Sequence, residues 1–161
     1  MLERTGIPTS DDLKAIIPDK ERLNEGPVAL IECFKKIPCD PCYYSCPVRA
    51  IAELEDINDI PELDYESCTG CGNCIASCPG LAIFVVDYNK KTLSLPYEFL
   101  PIPQKGEVVW GLDRAGEKVT KAEVIRVKDP QKNDKTAVVT IKLPEEYLME
   151  VRNIEVGDLN G

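Results

Sequence analysis

A duplicated cysteine pattern constrains this chain more than any other feature of its sequence. The spacing C-x2-C-x3-C followed by proline occurs twice, and the second copy starts 32 positions after the first. The match continues downstream, because CPVRAI in the first copy corresponds to CPGLAI in the second. An internal repeat of this kind predicts a duplicated site. Its cysteines are Cys39, Cys42 and Cys46 in the first copy and Cys71, Cys74 and Cys78 in the second.

One further cysteine precedes each copy, and its distance from the copy differs between the two. Cys68 stands three positions before Cys71, whereas Cys33 stands six positions before Cys39, so the first copy carries three extra residues. Cys33 and Cys68 bring the total to eight cysteines. The pattern alone leaves two interpretations of Cys33: a displaced member of the first group, or a thiol beside an incomplete site.

Three kinds of site could use these cysteines. Four disulfides would need an oxidising compartment, but MLERTGIPTSDD at the N-terminus lacks the basic and apolar regions of a secretory signal. We therefore expect a cytoplasmic chain with reduced cysteines. Four-cysteine zinc sites use separate C-x2-C pairs and do not require three closely spaced cysteines before a Cys-Pro step. The stretch CTGCGNCIASCP has the C-x2-C-x2-C-x3-C-P run of iron–sulfur proteins, which favours clusters over both alternatives.

The spacing has a physical reason. The irons of a cubane cluster need thiolates from several directions, so a tight C-x2-C-x2-C loop wraps three corners with its backbone N–H groups near the sulfurs. Gly70 and Gly72 suit such a loop because glycine adopts positive φ without strain. The x3 step lets the fourth cysteine point away from the loop, and Pro47 and Pro79 then bend the chain.

Through these motifs, residues 28–96 resemble the bacterial two-cluster (2 × 4Fe–4S) ferredoxin family. The resemblance implies an α+β fold, a pseudo-twofold ββ/αα repeat, with two 4Fe–4S clusters as cofactors. In that family the fourth cysteine of each run binds the cluster of the other run. Carried over to this chain, the resemblance implies Cys39, Cys42 and Cys78 for the first cluster and Cys68, Cys71, Cys74 and Cys46 for the second.

The first cluster then needs one more ligand, and Cys33 is the cysteine that remains. The six peptide steps from Cys33 to Cys39 span up to roughly 20 Å when extended, so the insert can loop outward. VALIE, immediately before Cys33, is typical of the strand that precedes the first ligand in this fold. We therefore predict that Cys33 is the fourth ligand. The alternative is a buried free thiol beside a 3Fe–4S cluster or an absent first cluster.

Three regions are predicted around these motifs. Residues 1–27 form an N-terminal helical arm, with a helix that Thr9 or Ser10 caps and Pro18 ends. Residues 28–100 form the two-cluster ferredoxin domain and close with a hairpin. Residues 101–161, after a proline-rich joint, form a small β-rich domain that ends in a helix starting at Pro144. The strands predicted in the last region are 107–112, 117–128 and TAVVTIKL, with a polar loop at 129–135 before the third strand.

Charge and composition exclude several functions. The net charge of −9 argues against nucleic acid as a partner. The absence of histidine excludes histidine-ligated zinc, Rieske or haem centres and any Ser–His or Cys–His catalytic pair. No apolar run approaches the roughly 20 residues that span a bilayer, so we expect no membrane insertion. No glycine-rich nucleotide motif or paired carboxylate in a catalytic context occurs, so we predict no catalytic residues and no enzyme activity.

The sequence therefore predicts electron transfer through two 4Fe–4S clusters. The extensions on both sides of the cysteine region favour a dedicated subunit of an oxidoreductase complex. The whole layout also resembles small ferredoxin-like subunits that accompany flavoprotein amino-acid dehydrogenases, which implies a flavoprotein dehydrogenase or another redox enzyme subunit as partner. Two alternatives remain: a free ferredoxin that shuttles electrons between enzymes, and a regulatory iron–sulfur sensor.

Overall fold

The architecture comes from a computed structural model that describes residues 2–129 and 136–157. In these residues the helices are short and precede most of the strands. The helices are α1 (Leu2–Thr5), α2 (Ser10–Lys14), α3 (Lys20–Glu25), α4 (Pro41–Ser45) and α5 (Asn73–Ser77). The strands are β1 (Val28–Ile31), β2 (Ile83–Asp87), β3 (Thr92–Tyr97), β4 (Val108–Leu112), β5 (Lys118–Lys128), β6 (Ala137–Lys142) and β7 (Asn153–Glu155). None of the described helices is long and apolar enough to cross a membrane.

Two of the three short helices in the N-terminal arm are capped. Thr9 caps α2 as predicted, because its side chain accepts a hydrogen bond from the backbone N–H of Asp12, whose carboxylate accepts one from the N–H of Thr9. This reciprocal pair is a capping box. The side chain of Asp19 caps α3 by accepting from the backbone N–H of Arg22. Pro18 separates the two helices, so the chain changes direction there.

The sheet contains all seven strands in the order β1-β2-β3-β6-β5-β4-β7, and every neighbouring pair is antiparallel. Side chains alternate between its two faces, as in any strand. On β1, Ala29 and Ile31 face the cysteines, whereas Val28 and Leu30 belong to the larger core on the opposite face. Strand β2 alternates in the same way. The cysteine face also contains Ile83, Val85 and Val138.

The hairpin of β2 and β3 continues directly into the C-terminal strands. Strand β3 pairs with β6 along its whole length, from Thr92 opposite Lys142 to Tyr97 opposite Ala137. Strands β4 to β7 therefore extend the sheet of the cysteine region and also contribute to its larger core. All the strands predicted after the second cysteine run are present. The helices have only four to six residues each, so the sheet dominates, and the pseudo-twofold α+β detail and the division near residue 100 stay predictions.

The predicted helix after Pro144 is wrong. The chain instead forms one 3-10 turn (Glu145–Tyr147), further turns, and strand β7. Leu148, Val151 and Ile154 are buried at a three-residue spacing that imitates one face of a helix. Their burial arises because the turns lay them on the larger core, while β7 pairs with the edge of β4. The predicted loop at 129–135 lies, apart from its first residue, outside the described residues.

A buried ion cluster joins the end of β1 to the C-terminal strands. Arg114, in the β4–β5 turn, donates to the carboxylate of Glu32 through Nε, at 2.9 Å, and through Nη2. Arg152 Nε lies 3.3 Å from the same carboxylate, and its guanidinium stacks over the ring of Phe84 at 5.0 Å. Burial lowers the pKa of Arg152 to about 10, and the charge of Arg114 acts in the same direction. Glu32 directly precedes Cys33, so this cluster anchors the entry to the cysteine region.

We predict that the chain unfolds as one cooperative unit. Val109→Ala should lower the free energy of unfolding by about 2 kcal/mol, because Val109 is fully buried in the larger core. Val108→Ala is the matched control, since this neighbour on β4 is 43% exposed and its truncation should cost about 0.5 kcal/mol or less. Urea unfolding is followed by Trp110 fluorescence for the C-terminal strands and by cluster absorbance for the cysteine region. Two separate transitions would contradict a common core.

Candidate iron–sulfur site

The two cysteine runs fold into two nearly identical pieces of backbone. Cys46 ends α4 with φ −78° and ψ 111°, and Cys78 ends α5 with φ −76° and ψ 112°. Three residues further on, Arg49 and Leu81 both take positive φ, at 54° and 53°. Each of these two residues donates its N–H to the carbonyl of the preceding cysteine at 3.3 Å. The sequence repeat is therefore also a repeat in conformation, and α4 and α5 contact each other.

One group of four cysteines lines a cavity of about 360 Å³ beneath the N-terminal arm. Leu2 and Gly6 of the arm and Phe34 of the insert form part of its wall. Ile31 and Ile83 close it on the side of the sheet. The cysteines of this group, which we name the first site, are Cys33, Cys39, Cys42 and Cys78.

The other four cysteines line a second, narrower cavity. Ala29, Ile51 and Leu63 form its apolar floor, and the glycines of the second run form its rim. Cys74 is buried, whereas Cys71 is exposed. The cysteines of this second site are Cys46, Cys68, Cys71 and Cys74. Each site thus combines the leading cysteine and the first two cysteines of one run with the last cysteine of the other run.

The three extra residues before Cys39 form a loop that bulges outward. Glu32 donates its N–H to the carbonyl of Ala82 at 2.7 Å, and Cys39 donates its N–H to that of Ile57 at 3.1 Å. Between these anchors Lys35, Lys36 and Ile37 are exposed. The insert therefore absorbs the additional length without moving Cys33 away from the first site.

The electrostatics of the first site indicate what kind of ligand it needs. Burial raises the pKa of the Cys42 thiol to about 11, and the neighbouring Cys78 contributes in the same direction. Burial and Cys78 also raise the pKa of Cys33 and of Cys39. Thiolates that raise each other's pKa can all ionise only when a cation compensates them. The donor set therefore fits an iron–sulfur cluster, whose irons supply that positive charge.

The second site contains one strongly buried thiol and two hydrogen bonds to sulfur. Burial raises the pKa of Cys74 to about 12, with further contributions from Cys68 and Cys71. The backbone N–H of Ala29 donates to Cys68 Sγ at 3.4 Å, and that of Ala50 donates to Cys46 Sγ at 3.2 Å. Such bonds orient a sulfur. Ala29 lies in β1, and Ala50 precedes Ile51, which pairs with Leu63 in an isolated antiparallel bridge outside the sheet, so the fold holds these two sulfurs in place.

The spacing of the thiols does not suit a single metal ion. Within residues 2–129 and 136–157, no three Cys, Asp or Glu side chains lie close enough together to hold one ion. A tetrahedral zinc site requires all its ligands around one centre. A cubane needs its thiolates further apart, because each of them binds a different iron. Both four-cysteine groups therefore fit cubane clusters better than they fit zinc.

The loop of the second run packs against the N-terminal arm through Gly70. Its φ is +68°, and a Cβ built at this position would lie 2.4 Å from Cβ of Pro27. Arg22 of α3 also donates from Nη2 to the carbonyls of Pro27 and Cys68, at 3.1 and 2.8 Å. Nothing in the sequence indicated the role of Arg22, because a lone arginine in DKERLN matches no motif. The helical arm thus packs against the loop that carries the second site.

Comparison with known proteins agrees with this geometry. Residues 35–82 match the family model of the 4Fe-4S dicluster domain. The pyruvate synthase subunit PorD of Methanocaldococcus jannaschii is 41% identical over 61 residues, which are 38% of this chain and 69% of that protein. A subunit of the ion-translocating oxidoreductase complex of Methanosarcina acetivorans is 45% identical over 47 residues, 29% of this chain and 17% of that protein. No solved structure matches.

A fold with two adjacent four-thiol sites on one sheet, matched by these relatives, defines an iron–sulfur electron-transfer protein. The chain belongs to the bacterial-type ferredoxin family with a 4Fe-4S dicluster domain, and its cofactors are two 4Fe–4S clusters. The family match leaves most of the chain outside it. Protein Pixie of Drosophila melanogaster, for example, is 31% identical over 94 residues, 48% of this chain but 15% of that protein. The chain likewise spans less than a fifth of the Methanosarcina relative.

We predict that Gly70→Ala loses the second cluster. The added Cβ would overlap Pro27 and would sit at a φ that costs about 1–2 kcal/mol for an L-residue. Gly116→Ala is the matched control, because Gly116 has φ +85° but nothing within 4 Å of a built Cβ. Iron and acid-labile sulfide per chain are measured on both purified variants. The control should keep the wild-type content, and an equal content in Gly70→Ala would show that the contact with Pro27 is dispensable.

Proposed function

We propose that this chain is a non-catalytic electron-transfer subunit in which the first site holds one 4Fe–4S cluster and the second site holds the other. The observation that supports the assignment is the exchange of Cys46 and Cys78 between the runs. Each of them lines the cavity of the opposite run, so each cavity has four thiols. Cys33 is the fourth ligand of the first site. With it, all eight cysteines act as ligands and no iron is left open for substrate chemistry.

The residues of the chain carry out the supporting chemistry. The clusters supply one-electron redox chemistry when bound. Thiolates of both sites hold the irons, and the N–H groups of Ala29 and Ala50 hold two of the sulfurs in orientation. Ile51 and Ile75 are almost fully buried beside the sites and exclude water from them. Because α4 and α5 contact each other, the two sites are neighbours. A two-electron donor can therefore transfer its electrons to this pair of sites one at a time.

Electrons pass between this chain and its partner at the second site. Cys71 at its rim is exposed, whereas Leu2 and Gly6 of the arm form part of the wall of the first site. Electron transfer requires close approach, so a partner reaches the second site more directly. The net charge of −9 favours a partner with a basic docking surface, which it would attract at low ionic strength.

The partner we propose is a redox enzyme, specifically a flavoprotein amino-acid dehydrogenase of the proline, hydroxyproline or sarcosine type. Relatives named as subunits of pyruvate synthase and of an ion-translocating oxidoreductase complex support assembly with an enzyme. The N-terminal arm and the C-terminal strands support it as well, because a free carrier does not need them. The choice of a flavoprotein rests on the resemblance in overall layout. A free ferredoxin is the second candidate, and the acidic bias that suits transient docking favours it.

We predict that Cys33→Ser contains fewer than the eight irons per chain that two 4Fe–4S clusters require. Serine is a poor ligand for iron, so the first cluster should be lost or reduced to a 3Fe–4S form. Iron and sulfide analysis is combined with electron paramagnetic resonance of the oxidised protein, in which a 3Fe–4S cluster gives a signal. Lys35→Ser is the control in the same loop and should keep eight irons. A full iron content in Cys33→Ser would exclude Cys33 as a ligand.

We also predict that the native protein elutes in gel filtration together with a flavoprotein. Cluster absorbance and flavin fluorescence should coincide in a fraction of much higher mass than the 17.9 kDa of this chain. Raising the salt concentration should split the complex if charge holds it together. Elution near 17.9 kDa with no flavin would support the free ferredoxin instead.

A further inference from the structure

Arg22 is a buried cation whose hydrogen-bond acceptors, among residues 2–129 and 136–157, are all backbone carbonyls. The residue is 6% exposed, and its guanidinium points from α3 toward the second cysteine run. Nε donates to the carbonyl of Tyr65 at 2.6 Å, and Nη1 donates to that of Gly26 at 3.3 Å. Nη2 donates to the carbonyls of Pro27 and Cys68, at 3.1 and 2.8 Å. One side chain thus ties the arm, the start of β1 and the loop of the second site together.

No carboxylate in the described parts of the chain pairs with this guanidinium. The nearby carboxylate of Asp19 accepts from the backbone N–H of Arg22, where it caps the helix. The other deeply buried arginine, Arg152, has a negative counter-charge, because it shares the carboxylate of Glu32 with Arg114. A buried charge without a counter-charge is costly, and carbonyl dipoles offset only part of that cost. The position of Arg22 therefore needs a negative group that is present in the functional protein.

The second site supplies such a negative group. It contains four thiolates in the assignment proposed above, one of them on Cys68, whose own carbonyl accepts from Arg22. Four thiolates outweigh the charge of a cubane core, and reduction makes the site still more negative. We propose that Arg22 is the counter-charge of the second cluster and raises its reduction potential. The residue also positions the loop, since its planar fork reaches several carbonyls at once as a lysine cannot.

The rise in reduction potential that Arg22 causes should be confined to the second cluster. A fixed positive charge in a low-dielectric surrounding favours the state with more negative charge, and this stabilisation decreases with distance. The hydrogen bonds of Arg22 reach the second run and no cysteine of the first site. Near the first site, Arg114 and Arg152 are already paired with Glu32. Because Arg22 is buried, salt should screen its influence far less than that of an exposed charge.

Redox titration of charge variants tests the proposal. Arg22→Gln removes the charge, whereas Arg22→Lys keeps it with fewer hydrogen bonds. Arg49→Gln is the matched control, because Arg49 is exposed and follows Cys46 of the second site by three residues. Potentials of both clusters are measured by spectroelectrochemistry with electron paramagnetic resonance, at low and high salt. Cys71→Ser identifies which redox transition belongs to the second cluster, because serine at an exposed ligand position perturbs that cluster's signal selectively.

We expect Arg22→Gln to lower the potential of the second cluster at both salt concentrations and to leave the first unchanged. Arg22→Lys should retain most of the wild-type potential, and any effect of Arg49→Gln should vanish at high salt. Unchanged potentials, or equal shifts of both clusters, would overturn the proposal. Loss of iron in Arg22→Gln alone would support a counter-charge, whereas loss in both Arg22 variants would assign a purely structural role. The wild-type iron content tests the proposed function separately, since fewer than eight irons there would refute the ligand assignment and not the role of Arg22.

Discussion

The burial of closely grouped thiols is the constraint on which the rest of this structure depends. Burial and neighbouring sulfurs together raise the pKa of Cys42 to about 11 and that of Cys74 to about 12. Without irons these thiols stay protonated in their cavities, and in the proposed assignment they bind irons together with cysteines from distant parts of the chain. The sheet, the paired helices α4 and α5 and the N-terminal arm all serve to keep two such groups side by side. We therefore expect cluster binding to be coupled to folding, as in other metal-dependent folds.

The exchange of one cysteine between the runs makes the two sites depend on each other. Cys46 belongs to the first run and Cys78 to the second, yet each lines the cavity of the opposite run. The backbone after these residues has the same conformation in both copies, including the positive φ of Arg49 and Leu81. A leucine and an arginine are unusual at positive φ, so both copies of the turn place a non-glycine residue in a sparsely populated conformation. The repeat thus preserves a strained turn as well as the cysteines.

Predictions from the sequence succeeded where the signal was local. The cysteine spacing indicated the iron–sulfur sites, and the alternation of apolar residues located the strands, because both patterns depend on neighbouring residues. They failed after Pro144, where Leu148, Val151 and Ile154 imitate a helical face although turns bring them onto the core. The sequence analysis also missed the contacts of the two buried arginines, for a different reason. Arg22 reaches a carbonyl 46 positions away and Arg152 a carboxylate 120 positions away, and no local pattern encodes such contacts.

These long-range contacts make the two halves of the duplicated site unequal. On the first side, the insert and the N-terminal arm form part of the cavity wall, and the paired ions of Glu32 anchor its entry to the C-terminal region. On the second side, Cys71 at the rim is exposed, and a guanidinium that carbonyls hold in the described part of the chain lies behind the loop. A simple duplication would give two equivalent centres and no direction for an electron. The segments outside the repeat supply the difference, since Arg22 comes from the arm, Arg114 from the β4–β5 turn and Arg152 from the position before β7. The extensions therefore give the two sites unlike surroundings, with a paired ion cluster at the entry to the first and a guanidinium bonded to carbonyls behind the loop of the second.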